Sequence, residues 1–218
     1  MPKPIVIPLQ GVFFDWDGTL LDSFDADSSA YLAMFRELCI PWDLNDLATH
    51  YAPNWHHVYR AAKIPRSKWE IADKLWAKHY ARHAPKLVPG ARRVLALVAR
   101  RYQLGLVTSG DRVRVLRQLR YFGLTRLFAA RVCADDTPQK KPHPAPLRLA
   151  LKQMCLNPGA CVYVGDSPHD LEMSKRAGVR AIAVIGRFPT EAGLRAAKPE
   201  FMLNSLKELP TVLKSLEK

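Results

Sequence analysis

Asp15 and Asp17 stand one tryptophan apart where the apolar run GVFF (11–14) stops, and Gly18 and Thr19 follow at once. Carboxylates this close repel, and a bare pair would leave one of them holding its proton well above the usual range. A divalent cation removes that penalty. Asp166, behind the apolar run ACVYVG (160–165), can supply a third oxygen ligand, with Asp170 four residues on. Oxygen-only ligands and a site partly open to water and phosphate suggest Mg²⁺. Thr108, Ser109 and Gly110 end another apolar run, and Lys140 and Lys141 lie on the loop after the next one. Lys141 and the Thr108 hydroxyl would neutralise and hydrogen-bond an anion beside the metal, with backbone N–H groups of the glycine turns at 18 and 110 adding to them. An anion next to Mg²⁺, facing a carboxylate nucleophile, describes phosphoryl transfer through an aspartyl-phosphate.

These residues need elements that bring them to one edge. GVFFD (11–15), QLGLVTSG (103–110), AARVCADD (129–136), ACVYVGDS (160–167) and RAIAVIG (180–186) are short apolar runs, as buried parallel strands are. Helical patterns over 91–101, 111–122, 144–155 and 168–177 alternate with them, and Gly178 supplies a helix stop. The rhythm predicts a doubly wound, Rossmann-like α/β parallel sheet, whose ligands bind at the carboxyl ends of the strands. Residues 23–87 break it with about four helices and no strand, punctuated by Pro41, Pro53, Pro65 and Pro85. The expected organisation is an α/β core from 1–22 and 88–218 with a small all-helical domain at 23–87.

DWDGT (15–19), VTSG (107–110), KKPHP (140–144) and GDSPHD (165–170) resemble, in order, the four motifs of the haloacid dehalogenase superfamily. The insert resembles that family's helical cap, and the layout is similar to phosphoglycolate phosphatases and β-phosphoglucomutases. The resemblance implies that Asp15 is the nucleophile and that Asp17 protonates the leaving oxygen, then activates water. It implies that Thr108, Ser109, Gly110, Gly18 and Lys141 bind the phosphoryl group. Asp15, the Asp17 carbonyl and Asp166 would hold Mg²⁺, with Asp170 behind them orienting lysine or a metal-bound water. Lys140 is expected to be a surface neighbour. Asp17 also favours phosphatase chemistry over carbon–halogen cleavage, which has no alkoxide to protonate. The expected function is Mg²⁺-dependent hydrolysis of a small phosphate monoester, phosphoglycolate-phosphatase-like. A sugar phosphomutase is the alternative, with Lys63 and Lys86 as candidate grips on a second phosphate.

THYAPNWHHVYR (49–60) lies where related caps carry a glycine-containing specificity turn, and departs from it. His50, Tyr51, Asn54 and Arg60, with His56 and His57, are the candidates for touching the leaving group. Trp42, Trp55, Trp69 and Trp76 are expected to pack the cap interior.

The net charge of +13 falls mostly on the α/β part, since residues 23–87 carry nine bases and seven acids. Ten arginines crowd 91–131 against one acid, Asp111, and Arg114, Arg117 and Arg120 are read as one solvated helix face. A nucleic-acid-associated role through that face is the further alternative, but interleaved aromatics and a nucleic-acid motif are missing, so nucleic acid is not expected. The four cysteines (39, 133, 155, 161) have no C-x-x-C spacing and read as free, mostly buried thiols. No run is long enough to span a membrane, and the proline-broken MPKPIVIPLQ is too short for a signal sequence. A cytoplasmic monomer or homodimer with a small phosphorylated substrate is expected.

Overall fold

The computed structural model describes residues 8–217, so the expectation for the N-terminal run falls, at residues 1–7, outside the described residues. The chain opens with β1 (Gly11–Phe14) and a two-residue strand β2 (Leu21–Asp22). Four helices follow: α1 (Phe24–Glu37), α2 (Leu44–His50), α3 (Trp55–Ala61) and α4 (Trp69–Tyr80). The chain returns through β3 (Lys86–Leu87), which pairs antiparallel with β2. The insert was expected to hold no strand, and this pair at its base corrects that. Two residues per strand are too few to show an alternating pattern.

The rest alternates: α5 (Ala91–Val98), β4 (Gln103–Val107), α6 (Arg112–Tyr121), β5 (Ala130–Val132), α7 (Ala145–Met154), β6 (Cys161–Gly165), α8 (Pro168–Ala177), β7 (Arg180–Val184), α9 (Glu191–Ala196), β8 (Phe201–Leu203) and α10 (Leu209–Ser215). Six strands form one parallel sheet in the order β5-β4-β1-β6-β7-β8. β8 is a further strand beyond those read from the sequence.

Successive strand side chains point to opposite faces. Val12 and Phe14 therefore join one cluster with α5, α6 and α10, while Phe13 joins another with α7 and α8. Each fully buried side chain of this size contributes about 1.5–3 kcal/mol. The helical insert has its own cluster, around Tyr31, Met34, Phe35, Val58 and Tyr59, and all four of its tryptophans pack against it. The chain leaves β1 toward β4 on one side and returns to β6 on the other. That reversal opens a crevice at the carboxyl end of β1, where ligands of such sheets bind.

Cys133 and Cys161 are buried, but Cys39 and Cys155 are exposed, which corrects the expectation of mostly buried thiols. No helix among the described residues is long and apolar enough to cross a membrane.

Candidate active site

The carboxyl ends of β1, β4 and β6, with the loop after β5, bring Asp15, Thr108, Lys141, Asp166 and Asp170 together, all of them buried. Lys141 is the hub. Its ammonium donates to Asp170 Oδ1 and to the Tyr163 hydroxyl, each at 2.7 Å, and lies 2.9 Å from Asp15 Oδ1. That last contact is an ion pair whose angles fall short of a hydrogen bond, so Asp15 Oδ1 keeps unspent acceptor capacity. Burial alone would push the Lys141 ammonium down, and the facing Asp15 and Asp170 carboxylates reverse this, so its pKa is raised.

Asp170 Oδ2 accepts from Ser167 N at 3.1 Å and Ser167 Oγ at 2.6 Å, while Ser167 Oγ accepts from Asp170 N. This reciprocal cap opens α8. Oδ1 accepts from Tyr163 as well as Lys141. With both oxygens so occupied, Asp170 is a holder of the lysine and of its own helix.

Oxygens of Asp15, Asp166 and Asp170 lie within 4.8 Å of one another. Burial raises the Asp15 carboxyl to about 7, with Lys141 partly offsetting it. Asp166 is pushed well above its usual range by burial and then by its two acidic neighbours, against one hydrogen bond from Thr19 Oγ1 at 2.9 Å. Two buried carboxylates in this state, one with an underused oxygen, fit a divalent cation. Gly18 makes the approach feasible. Its φ is +80°, and a Cβ there would sit 2.1 Å from Asp166 Oδ2.

Thr108 Oγ1 accepts from Gly110 N at 3.0 Å and Gly18 N donates to the Leu21 carbonyl at 2.8 Å. The N–H groups of these two glycines are thus used within their own turns. The Ser109 hydroxyl, of a residue lining the cavity, is buried and has no partner among the described residues. Lys140 is half-buried and donates to the Ala134 and Thr137 carbonyls, holding the loop.

Asp17 faces Arg114, whose guanidinium grips it at 3.0 Å (Nη1 to Oδ1) and 2.7 Å (Nη2 to Oδ2). Arg114 was expected on a solvated face with Arg117 and Arg120. It is 8% exposed, whereas those two are exposed, and this corrects the expectation. Its Nε also lies 3.3 Å from Asp111 Oδ2, and its Nη1 donates to the Tyr80 hydroxyl of α4 at 3.2 Å. The guanidinium stands over the Tyr80 ring at 4.8 Å and the Trp76 ring at 5.7 Å. Gln118 completes the link, accepting from the Trp16 indole at 2.9 Å and donating to Tyr80 at 3.3 Å. Sequence reasoning missed Arg114 because arginines three apart define a face without saying which way it turns. The usable signal was its place in the first turn after a strand-end Thr-Ser-Gly.

A cavity of about 410 Å³ runs from the strand ends up to α1, α3 and α4. Of the cap candidates Tyr51 lines it, stacked on Phe188 at 4.8 Å. His50, Asn54 and Arg60 lie outside its lining: His50 stacks on Trp42, Asn54 caps α3 and Arg60 stands over Trp69. His56 stacks on Trp69, and His57 is exposed near His169. Trp55 and Trp76, expected only as packing, also line the cavity, joined by Asp27, Tyr59 and Asp73.

The sequence pattern of haloacid dehalogenase-like hydrolases matches residues 12–184. Pyrophosphatase PpaX of Bacillus cereus is 29% identical over 212 residues, 95% of this chain and 97% of that protein. A Lactobacillus plantarum structure described as a phosphoglycolate phosphatase superposes with a TM-score of 0.85 at 22% identity, covering 94% of this chain and 99% of that one. CbbY of Rhodobacter sphaeroides, solved with xylulose-(1,5)bisphosphate, gives 0.79 at 24% identity, covering 92% and 96%. At these identities the two structures speak for the fold.

Proposed function

We propose that this chain, which belongs to the haloacid dehalogenase-like hydrolase family, is a Mg²⁺-dependent phosphatase that cleaves a small phosphate monoester through an aspartyl-phosphate. The observation that carries this reading is the pair Asp15 and Asp17 at the floor of one cavity, the first beside buried Lys141 and the second in the grip of Arg114. Residues 23–87 act in it as the cap, with 1–22 and 88–218 as the catalytic core.

In this reading Asp15 attacks phosphorus, the Asp15 O–P bond forms, and the ester P–O bond breaks. Asp17, released from the Arg114 fork as substrate binds and then protonated, gives its proton to the departing alkoxide, which leaves as the alcohol. Water then attacks the aspartyl-phosphate and passes a proton to Asp17. The Asp15 O–P bond breaks, and phosphate and both carboxyl groups are restored. Lys141 keeps Asp15 aimed and offsets phosphoryl charge, while Ser109 and Thr108 take phosphoryl oxygens. Mg²⁺, held by Asp15, Asp166 and the Asp17 carbonyl, would supply charge neutralisation of the phosphoryl oxygens. Asp170 serves by fixing Lys141.

A mutase must grip a second phosphate from the cap, and neither Lys63 nor Lys86 lines the cavity. The test is a panel of phosphomonoesters with Mg²⁺. Turnover is expected for at least one ester, and Asp15→Asn should lower it by about 10³-fold or more. A panel with no turnover, or an Asp15→Asn variant with wild-type rates, overturns the assignment.

A further inference from the structure

We propose that the ester cleaved here carries a cationic amine or ammonium on its alcohol, received by Asp27 and the aromatic walls Tyr51, Trp55, Tyr59 and Trp76. This rests on the phosphatase reading and names the class of substrate for the same cavity. The cap half of the cavity is largely aromatic, with Asp27 on α1 and Asp73 on α4 among its lining. Tyr59 donates to Asp73 at 2.8 Å, whereas the donor that faces Asp27 is the Trp76 indole N–H. That N–H is buried and its geometry falls short of a full hydrogen bond, so it relieves Asp27 only in part.

The buried counter-charge of the cavity is already committed. Only two basic side chains line it among the described residues, Arg114 and Lys74. Arg114, buried, is bound to Asp17 and Asp111, while Lys74 stands at the exposed rim, in a weak surface pair with Glu70 at 2.7 Å. A leaving group with a second anionic centre, such as a carboxylate or another phosphate, would meet Asp27 and Asp73 with no cation to receive it. A neutral alcohol would leave Asp27 as it is, with no cation beside it. An ammonium satisfies the carboxylate and the ring faces together, since the negative face of an aromatic ring attracts a cation within about 6 Å. The same box already holds one cation this way, with the Arg114 guanidinium over Tyr80 and Trp76. Without a cation beside it, the Asp27 carboxyl is pushed up to about 8 by burial and the nearby Asp17, so pairing with an ammonium releases its proton to solvent. The bonds made and broken are those of the hydrolysis above. The ester P–O bond breaks, the amino alcohol departs with the proton from Asp17, and its ammonium is untouched.

The test compares kcat/KM with Mg²⁺ for choline phosphate and ethanolamine phosphate, the uncharged carbon isostere 3,3-dimethylbutyl phosphate, 2-phosphoglycolate, pyrophosphate and p-nitrophenyl phosphate. The cationic esters are expected to exceed the isostere by about tenfold or more, and the doubly anionic substrates by more again. Asp27→Asn should narrow the cationic-to-isostere preference to less than about threefold. On the wild-type enzyme, choline should inhibit p-nitrophenyl phosphate turnover competitively at concentrations where 3,3-dimethylbutanol does not. The inference is overturned if the isostere or phosphoglycolate matches the cationic esters, if Asp27→Asn lowers both esters equally, or if choline and its isostere inhibit alike. If p-nitrophenyl phosphate is hydrolysed without any cationic preference, this inference fails alone. If no ester is hydrolysed, the phosphatase reading fails and takes it along.

Discussion

Removing the ammonium of Lys141 would leave Asp15 and Asp170 facing each other in a buried site with their shared partner gone. Breaking a buried pair from one side costs about 3–5 kcal/mol. Lys141→Met should therefore unfold at distinctly lower urea than wild type, and an unchanged midpoint would sink the hub role given to Lys141. Asp27 bears on stability through pH. Its carboxyl ionises near 3.8 when unfolded and near 8 when folded. The folded state therefore holds a proton that the unfolded state has already released, and stability falls as pH rises between those values. Asp27→Asn removes that slope, so its advantage in Tm over wild type should widen steadily from about pH 5 to about pH 8. A constant difference across that range contradicts it. At this scale the residues at strand ends were legible in the sequence, because a carboxylate or hydroxyl directly behind a buried run has few other uses. Arg114 and Asp27 were not. Each sits on a helix, and only the packed cavity reveals that it faces inward.

The Arg114 contacts join elements distant in sequence: Asp17 after β1, Asp111 and Gln118 on and beside α6, and Tyr80 at the end of α4. An arginine holds a carboxylate with two parallel N–H donors in a fixed plane, which a lysine cannot reproduce. Arg114→Lys should lower kcat by about ten- to a hundredfold with KM changed by less than about threefold, because the loss falls on the aim of Asp17. A rise in KM at constant kcat would instead make Arg114 a substrate contact. Core strands β1, β4 and β6 were legible as unbroken apolar runs, since both of their faces are covered. β8 has three residues at the sheet edge, and β2 and β3 have two each. Pieces so short carry no periodicity, and their pairing is decided by elements far away along the chain.

For the molecule as a whole, the cap and the core also meet on the loop after β7, beside the catalytic floor. Phe188, in the loop after β7, stacks on Tyr51 and meets the Phe24 ring edge-on at 5.4 Å. Beside it Arg187 forks onto Asp25 at 2.7 and 2.8 Å, all exposed. An exposed pair is worth about 0–1 kcal/mol. Arg187→Ala should therefore shift stability little, whereas Phe188→Ala should raise KM about tenfold by loosening the cap over the substrate. Equal effects of the two substitutions would refute this division. Mg²⁺ at saturation should raise Tm by about 3–8 °C through binding to the folded state alone, and EDTA should reverse it. An unmoved Tm would remove the metal assignment from the Asp15–Asp166 pair. The division into a sheet and a helical insert was legible because the strand–helix rhythm stops at one place and resumes at another. What the insert presents to its substrate was not, because four helices can share one hydrophobic pattern and still show the cavity different residues. The pairing of Leu21–Asp22 with Lys86–Leu87 puts the start and finish of that insert side by side, at the roughly 5 Å spacing of neighbouring strands. A segment whose two ends meet can be exchanged like a cassette, leaving the connectivity of every sheet strand intact. In the phosphatase reading, the floor that holds Asp15 and Asp17 can then stay as it is while a different insert changes what reaches it.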